Sequence, residues 1–590
     1  MFLFELIVLI VILTIPGYLL VGKYFQRLEK AVLSIFLSLS VTSFLFYIVI
    51  SFFGISKEFI RVYAFLLLVA FFVVKKFSLK QIIKSIQNIK LKRSKNNQHS
   101  LPELLLIFLL VFILSINIFF VPINRTLNYD DASYHLPIIL DVADDGKKTF
   151  FSETHNTYQL RSNQFPLLFE SFAGAIKFFI KSDFFWFINF FALVLSLFLI
   201  YFISKQVGFN EFYSVALYGL TPFILIFTRY FGVENFLAMF FLGAVFFVLK
   251  FVEEQKLIFL GFAGFLSGLM FLTKFTGGIF FAGLFLFLLY KRKFKESLFF
   301  ALIFVLFASV FFIVHFEVPF DQSSVGEYGE LAAEKFPEII LLNAFIAGER
   351  LFSYFFSNFY IFFIPILFFV GLFWKKEKEK NFLFLLLFSG SCLIFATLVS
   401  KAAPSYSGFP RYFWPIYSLL CVFAGFQLKK IIIFKEKRIA LFAGAVFISI
   451  ILFTSILFLQ YFDFIPSKKS QENNGKGIEN NYGVTVWFLN NSALVVNLDK
   501  VVAYDYVWRA DFSGEPCDFL KKHEIDYVVY NKIDIDPDFL RGSPDNLGDF
   551  GSKLRTNLLE GKCAELISKS NDPNNSAIFK ILNNNPEQEK

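Results

Sequence analysis

A chain of 590 residues that is 56% hydrophobic, holds 92 phenylalanines and is only 17% charged carries more apolar surface than a water-soluble fold can bury, so it reads as a polytopic membrane protein. Its net charge of +9 does not point to nucleic acid. The basic residues cluster in short loops between apolar runs, as membrane topology requires.

A helix needs about 20 apolar residues to cross a bilayer. Runs of that kind occur near 2–21, 31–53, 59–74, 102–122, 184–204, 212–228, 236–252, 257–272, 276–290, 297–316, 351–373, 381–400, 412–428 and 439–459. The expected fold is therefore an α-helical polytopic membrane protein of about 14 transmembrane helices. The first run has no cleavage-site pattern and is read as a retained helix. As a single helix, 257–290 would be about 50 Å long, too long for the bilayer. It is split at TKFTGG, where Gly277 and Gly278 permit a turn.

Orientation follows from the loop 75–100, which holds eight Lys/Arg and no Asp/Glu and is therefore placed in the cytoplasm. With 257–290 split, the basic loops at 291–295, 375–380 and 429–438 all fall on the same side. The opposite, extracytoplasmic side receives the loop 123–183, the turns TRYFGVEN and TKFTGG, the acidic loop 317–350, the segment KAAPSYSGFPR and the tail. The expected setting is the cytoplasmic membrane.

Three regions are expected. Residues 1–100 form an N-terminal three-span extension with its basic loop, 101–459 the main transmembrane domain, and 460–590 a small extracytoplasmic α/β domain. In that tail ALVVNLDKVVAYDY and IDYVVYNK read as strands, and PCDFLKKHE and SKLRTNLLEGKCAELISK as helices. The cysteines Cys392, Cys421, Cys517 and Cys563 have no metal-ligand spacing. The last two fall in the exported tail, an oxidising place in many bacteria, where a disulfide between them is expected.

The stretch LNYDDASYHLP, residues 127–137, follows a run without charge between Glu103 and Arg125. Its Asp130 and Asp131 open the large outer loop, and ASYHLPIILDVADD has the pattern of a surface helix. An Asp pair at a span exit is as readily a helix cap as a site. Other charges stand at outer span ends: Arg229 and Glu234 after the sixth span, Lys274 after the eighth, Arg411 at the thirteenth. Singly each reads as a topological anchor. Together they put carboxylates and cations on one membrane face, and ionisable groups at membrane depth usually line a cavity or site. QFPLLFESFAGAIKFF, 164–179, reads as a second amphipathic helix with Pro166 near its start.

These segments resemble the GT-C class of membrane glycosyltransferases, which use a polyprenyl-phosphate sugar as donor and include protein O-mannosyltransferases and aminoarabinose transferases acting on lipid A. YDDASYHLP is similar to the family's acidic start of the first outer loop, and QFPLLFE to its YPPL-like element. TRYFGVENFLAMFFLGAVFF resembles its second acidic turn, with Glu234 where Asp is usual. GFLSGLMFLTKFTGG and RYFWPIY resemble its TKYTG and RY–P segments. The resemblance covers roughly 101–428.

It implies sugar transfer to a lipid, glycan or protein acceptor on the outer face. Asp130 would be the general base, with Asp131 and Glu234 as supporting carboxylates. Arg229, Lys274 and Arg411 would face the departing phosphate, and Tyr134 and His135 would be substrate-binding, with His135 orienting the loop rather than acting itself. Asp130, Asp131 and Glu234 are also a donor set that can hold Mg²⁺ or Mn²⁺, a point on which the family is divided. The rival reading is a transporter or flippase of lipid-linked glycans. Such proteins tend to keep charged groups near the midplane and to show internal repeats. No repeat stands out here. The topology predicts that an external thiol reagent labels a cysteine placed at Asn480 and not one at Lys90; the reverse pattern moves the whole proposed site to the cytoplasm.

Overall fold

A computed structural model describes most of residues 2–75, 166–221 and 233–314, stretches within 107–115, 135–146, 382–392 and 414–425, and, in the tail, 484–497, 515–518, 527–530, 556–569 and 577–582. The chain divides into two units, one of Met1–Thr126 and Gln164–Phe462, the other of Leu127–Asn163 and Asp463–Lys590.

The first unit is a helical bundle. Its helices are α1 (Phe2–Ile12), α2 (Ile15–Val21), α3 (Arg27–Phe52), α4 (Lys57–Lys75), α5 (Leu168–Ile180), α6 (Ile188–Val207), α7 (Glu211–Gly219), α8 (Glu234–Glu254), α9 (Leu257–Thr273), α10 (Gly277–Tyr290), α11 (Phe294–Val314) and α12 (Trp414–Gly425). Among the described residues five segments are long and apolar enough to cross a membrane: Phe4–Val21, Leu28–Phe52, Ile188–Val207, Glu234–Glu254 and Phe294–Val314. The chain is a multi-pass membrane protein. The expected spans at 351–373 and 439–459 lie outside the described residues.

Phenylalanine is the packing currency. Helix α8 is the most enclosed, with 89% of its apolar window buried, and α11 the least, with 28%. Phe247 of α8 meets Phe262 of α9 at 5.0 Å, Phe241 meets Phe280 of α10 at 5.0 Å, and Phe281 of α10 stacks on Phe304 of α11 at 3.8 Å. Offset and edge-on ring pairs of this kind add about 0.5–1.5 kcal/mol each beyond the area they bury. On α11, Leu298, Leu302, Val305, Leu306 and Ile313 are exposed, as are Val62, Phe65, Leu66 and Val73 on α4. Apolar faces left open are what a lipid-facing helix presents.

The N-terminal spans pack into the bundle. Phe36 of α3 lies against Phe240 and Gly243 of α8, and Phe44 against Phe265 and Phe307. Helix α12 is joined to the α7 segment by hydrogen bonds between buried groups. Trp414 Nε1 donates to the Tyr218 hydroxyl at 3.0 Å, the Tyr417 and Thr221 hydroxyls are 2.9 Å apart, and Ser214 Oγ donates to the Val422 carbonyl at 3.1 Å.

Helices α9 and α10 are separate, as the bilayer thickness requires. The reason for glycine at their junction differs from the expected one. The turn needs no unusual backbone angle at Gly277; the residue sits against the backbone of Met270 and Phe271, where a methyl group would collide.

In the second unit five strands form one mixed sheet in the order β2-β1-β3-β5-β4. These are β1 (Val484–Leu489), β2 (Ser492–Asn497), β3 (Tyr527–Tyr530), β4 (Ala564–Lys569) and β5 (Ala577–Ile581), with β1 and β3 parallel and the other pairs antiparallel. The strand expected in IDYVVYNK is β3. The helix expected across SKLRTNLLEGKCAELISK is a correction: helix ends at Leu559, Gly561 turns the chain at a φ of 68°, and Ala564–Lys569 is a strand. A disulfide joins Cys517 to Cys563, with Cα atoms 5.8 Å apart. Residues 138–139 and 142–143 are helical, and His135, Ile138, Ile139 and Val142 are buried, the stripe expected of an amphipathic helix.

Gly277→Ala forces backbone apart at the α9–α10 turn and is expected to cost about 1–3 kcal/mol. A lowered thermal midpoint of the detergent-solubilised protein, with Gly278→Ala unchanged because Gly278 meets only a side chain at 3.5 Å, is the expected pattern; equal midpoints for the two variants would remove this role for Gly277.

Candidate functional site

Two turns meet at one end of the first unit. Helix α8 begins at Glu234 after Val233, whose side chain makes no capping hydrogen bond. A carboxylate in the first turn complements the positive end of the helix dipole, worth about 0.3–1 kcal/mol where exposed and more where buried. Helix α9 stops at Thr273. Lys274 leaves it with an extended backbone, its N–H still bonded to the Met270 carbonyl at 2.9 Å. The chain then turns through bonds from Gly277 N to Lys274 O (2.8 Å) and Gly278 N to Phe275 O (2.9 Å) into α10. Phe275 anchors this turn on Phe311 of α11 at 4.9 Å.

Across the gap, Lys274 Nζ donates to Glu234 Oε1 at 3.0 Å. The Glu234 side chain is 3% exposed and that of Lys274 26%. A carboxylate this deep would cost several kcal/mol without countercharge, so the pair is what permits Glu234 to be there. Lysine is a point charge with three donors on a flexible stem, so it can serve more than one partner at once.

The structure thus brings together Glu234 and Lys274, read from sequence as separate contributors. Asp130, Asp131, Tyr134, Arg229 and Arg411 lie outside the described residues. His135, 4% exposed, belongs to the second unit. Among the described residues no cluster of three or more His, Cys, Asp or Glu could hold a metal ion. Glu234 fits a metal ligand poorly, because a divalent cation on Oε1 would face the Lys274 ammonium, and no step is routed through a metal below.

One residue the sequence reading passed over is Glu170. It lies in α5, where 11 of 13 residues are buried, and is itself 1% exposed. Phe169 and Phe172 on either side of it meet Phe236 of α8 at 5.3 and 6.0 Å, and Phe172 meets Phe46 of α3 at 6.3 Å. The available signal was a single acid inside an apolar run directly after QFPLLF.

Residues 175–315 match the family model for dolichyl-phosphate-mannose-protein mannosyltransferase. The matched segment contains Arg229, Glu234 and Lys274. The chain resembles the GT-C membrane glycosyltransferases. Among solved structures, ArnT from Cupriavidus metallidurans bound to undecaprenyl phosphate is similar, at 13% identity and a TM-score of 0.39, over 55% of this chain. The chain spans 60% of that structure's length. No curated protein matches.

Because the pair is mutual, its loss should be asymmetric. Lys274→Met strands a buried carboxylate and is expected to destabilise by up to about 3 kcal/mol, the low end for breaking a buried pair, since lysine is partly solvated. Glu234→Gln in the same chain should recover most of that loss. Thermal midpoints of the two single variants and the double variant check this; additive losses would mean that the two groups do not depend on each other.

Proposed function

We propose that the protein is a glycosyltransferase that moves a sugar from a polyprenyl-phosphate donor to a lipid, glycan or protein acceptor on the outer face of the cytoplasmic membrane. The observation that supports it most is the 3.0 Å Glu234–Lys274 pair, set at a helix end inside the segment that matches the mannosyltransferase family model. The sugar is read as a hexose or pentose, with a hexose favoured by the family description.

The chemistry has three demands. An acceptor hydroxyl must lose its proton as its oxygen attacks the anomeric carbon, and Asp130 takes that proton. The bond from the anomeric carbon to the phosphate oxygen breaks with its electron pair leaving on phosphate. Lys274, with Arg229 and Arg411, stands where that charge develops. Positive charge collects on the sugar ring in an oxocarbenium-like transition state, and Asp131 is assigned to stabilise it. Glu234 stays with Lys274 and holds the ammonium in place. Tyr134 and His135 are assigned to orienting the loop.

A flippase or transporter of lipid-linked glycans shares the ligand and not the chemistry. Its informative charges would be expected near the midplane, whereas Glu234 opens α8 and Lys274 follows the end of α9. The variant that separates the two is Asp130→Asn, which preserves shape and capping ability and removes the base. Loss of a general base costs about 10²–10⁴-fold in rate. Sugar transfer by purified Asp130→Asn, at matched folded protein and saturating donor, is expected to fall by that factor. Transfer within a few-fold of the parent would assign the aspartates to structure and overturn the mechanism.

A further inference from the structure

Beside the ion pair are polar groups that the reaction as described leaves unused. Asn235, directly after Glu234 in the first turn of α8, is 1% exposed, and among the described residues neither its carboxamide oxygen nor its nitrogen has a hydrogen-bond partner. Thr276, two residues after Lys274, has a buried hydroxyl that is likewise without one. Most buried polar groups in folded proteins are partnered; other unpartnered side-chain atoms occur elsewhere among the described residues, and of these Asn235 and Thr276 are the ones that adjoin the ion pair in sequence while Asn235 lacks a partner at both ends of its carboxamide. The pair itself ties their turns together: Glu234 and Lys274 touch at 3.0 Å, and Asn235 and Thr276 are their near neighbours in the chain.

The chemistry of the two groups narrows what they can meet. A carboxamide offers two N–H donors and one accepting oxygen, and a threonine hydroxyl both donates and accepts. A phosphate oxygen satisfies the N–H side only, because an anion has no proton for the carboxamide oxygen. An apolar tail satisfies neither. A sugar hydroxyl donates and accepts at once, and neighbouring hydroxyls on a ring match the two ends of a carboxamide. We propose that Asn235 and Thr276 are specificity-determining residues that bind hydroxyls of the donor's glycosyl unit while Lys274 meets its phosphate. This rests on the glycosyltransferase reading for the role of Lys274. It adds a sugar-recognising pair to the phosphate-binding role given to Lys274.

The test is binding rather than turnover. Full-length protein in lipid nanodiscs is titrated with undecaprenyl phosphate and with its mannosyl, glucosyl and galactosyl derivatives. The parent is expected to bind at least one sugar-bearing lipid about tenfold or more tighter than the bare one, the worth of one neutral hydrogen bond or more. Asn235→Leu and, separately, Thr276→Val should each reduce that preference by about tenfold or abolish it, and leave affinity for undecaprenyl phosphate within twofold. Asn235→Leu should melt no lower than the parent, since it removes polar atoms that have no partner. A parent that does not discriminate sugar-bearing from bare lipid, or variants that keep the parental preference or weaken both lipids equally, overturns the proposal. Lys274→Ala separates this failure from failure of the underlying reading. If Lys274→Ala binds undecaprenyl phosphate as the parent does, the phosphate role falls, whatever the Asn235 and Thr276 variants do.

Discussion

A carboxylate buried at the start of a helix must have a countercharge, and Glu234 takes its own from a different helix pair. That requirement joins the first turn of α8 to the α9–α10 turn across forty residues of sequence. Everything around it serves the same geometry. The Phe241–Phe280 and Phe247–Phe262 contacts hold α8 against both partners. Phe275 pins the turn to α11, and Gly277 lets the backbone of α10 begin directly against α9. The ion pair contributes little net stability in itself, because desolvation offsets attraction. Its contribution is register: the contact ties the first turn of α8 to the α9–α10 turn.

Apolar packing and polar chemistry are divided along the bundle. The side chains between helices are mostly rings, which have no polar demands and tolerate a low dielectric. Many polar groups in the interior bond locally, such as Ser196 to the Ala192 carbonyl at 2.8 Å and Thr273 to that of Leu269 at 2.8 Å, and others form the ladder between α7 and α12. The bonds from Trp414 to Tyr218 and between Tyr417 and Thr221 join two segments nearly two hundred residues apart in sequence.

Much of this was legible in the sequence because the bilayer imposes a length and a polarity. Run lengths gave the helices of the first unit. The basic loops forced the division of 257–290, and the break falls at TKFTGG as expected. Charges at span ends marked Glu234 and Lys274 individually. Their mutual contact was not legible, because pairing across helices depends on the rotation of each about its axis, which apolar runs without a polar face leave undetermined. Glu170 escaped for the opposite reason. It lies in a segment read as an amphipathic helix, in which a single acid does not stand out; in the structure that helix is almost wholly buried, with Phe169 and Phe172 packed on α3 and α8. In the tail, the segment after Lys553 had a helix-like spacing of apolar residues that Gly561 and the Cys563 disulfide overrule, turning the chain into the sheet.

The pairing of Glu234 with Lys274 also constrains how labour is divided in the proposed reaction. The Glu234 carboxylate is engaged by the Lys274 ammonium at 3.0 Å. Proton removal then falls to a carboxylate outside the pair, the role given to Asp130 in the loop 123–183. Lys274, with its charge secured by Glu234, is better suited to a departing phosphate than to proton transfer. In the proposed reaction the charge clamp sits on helix ends, set before charge develops, since electrostatic stabilisation is effective only when no reorganisation is needed at that moment.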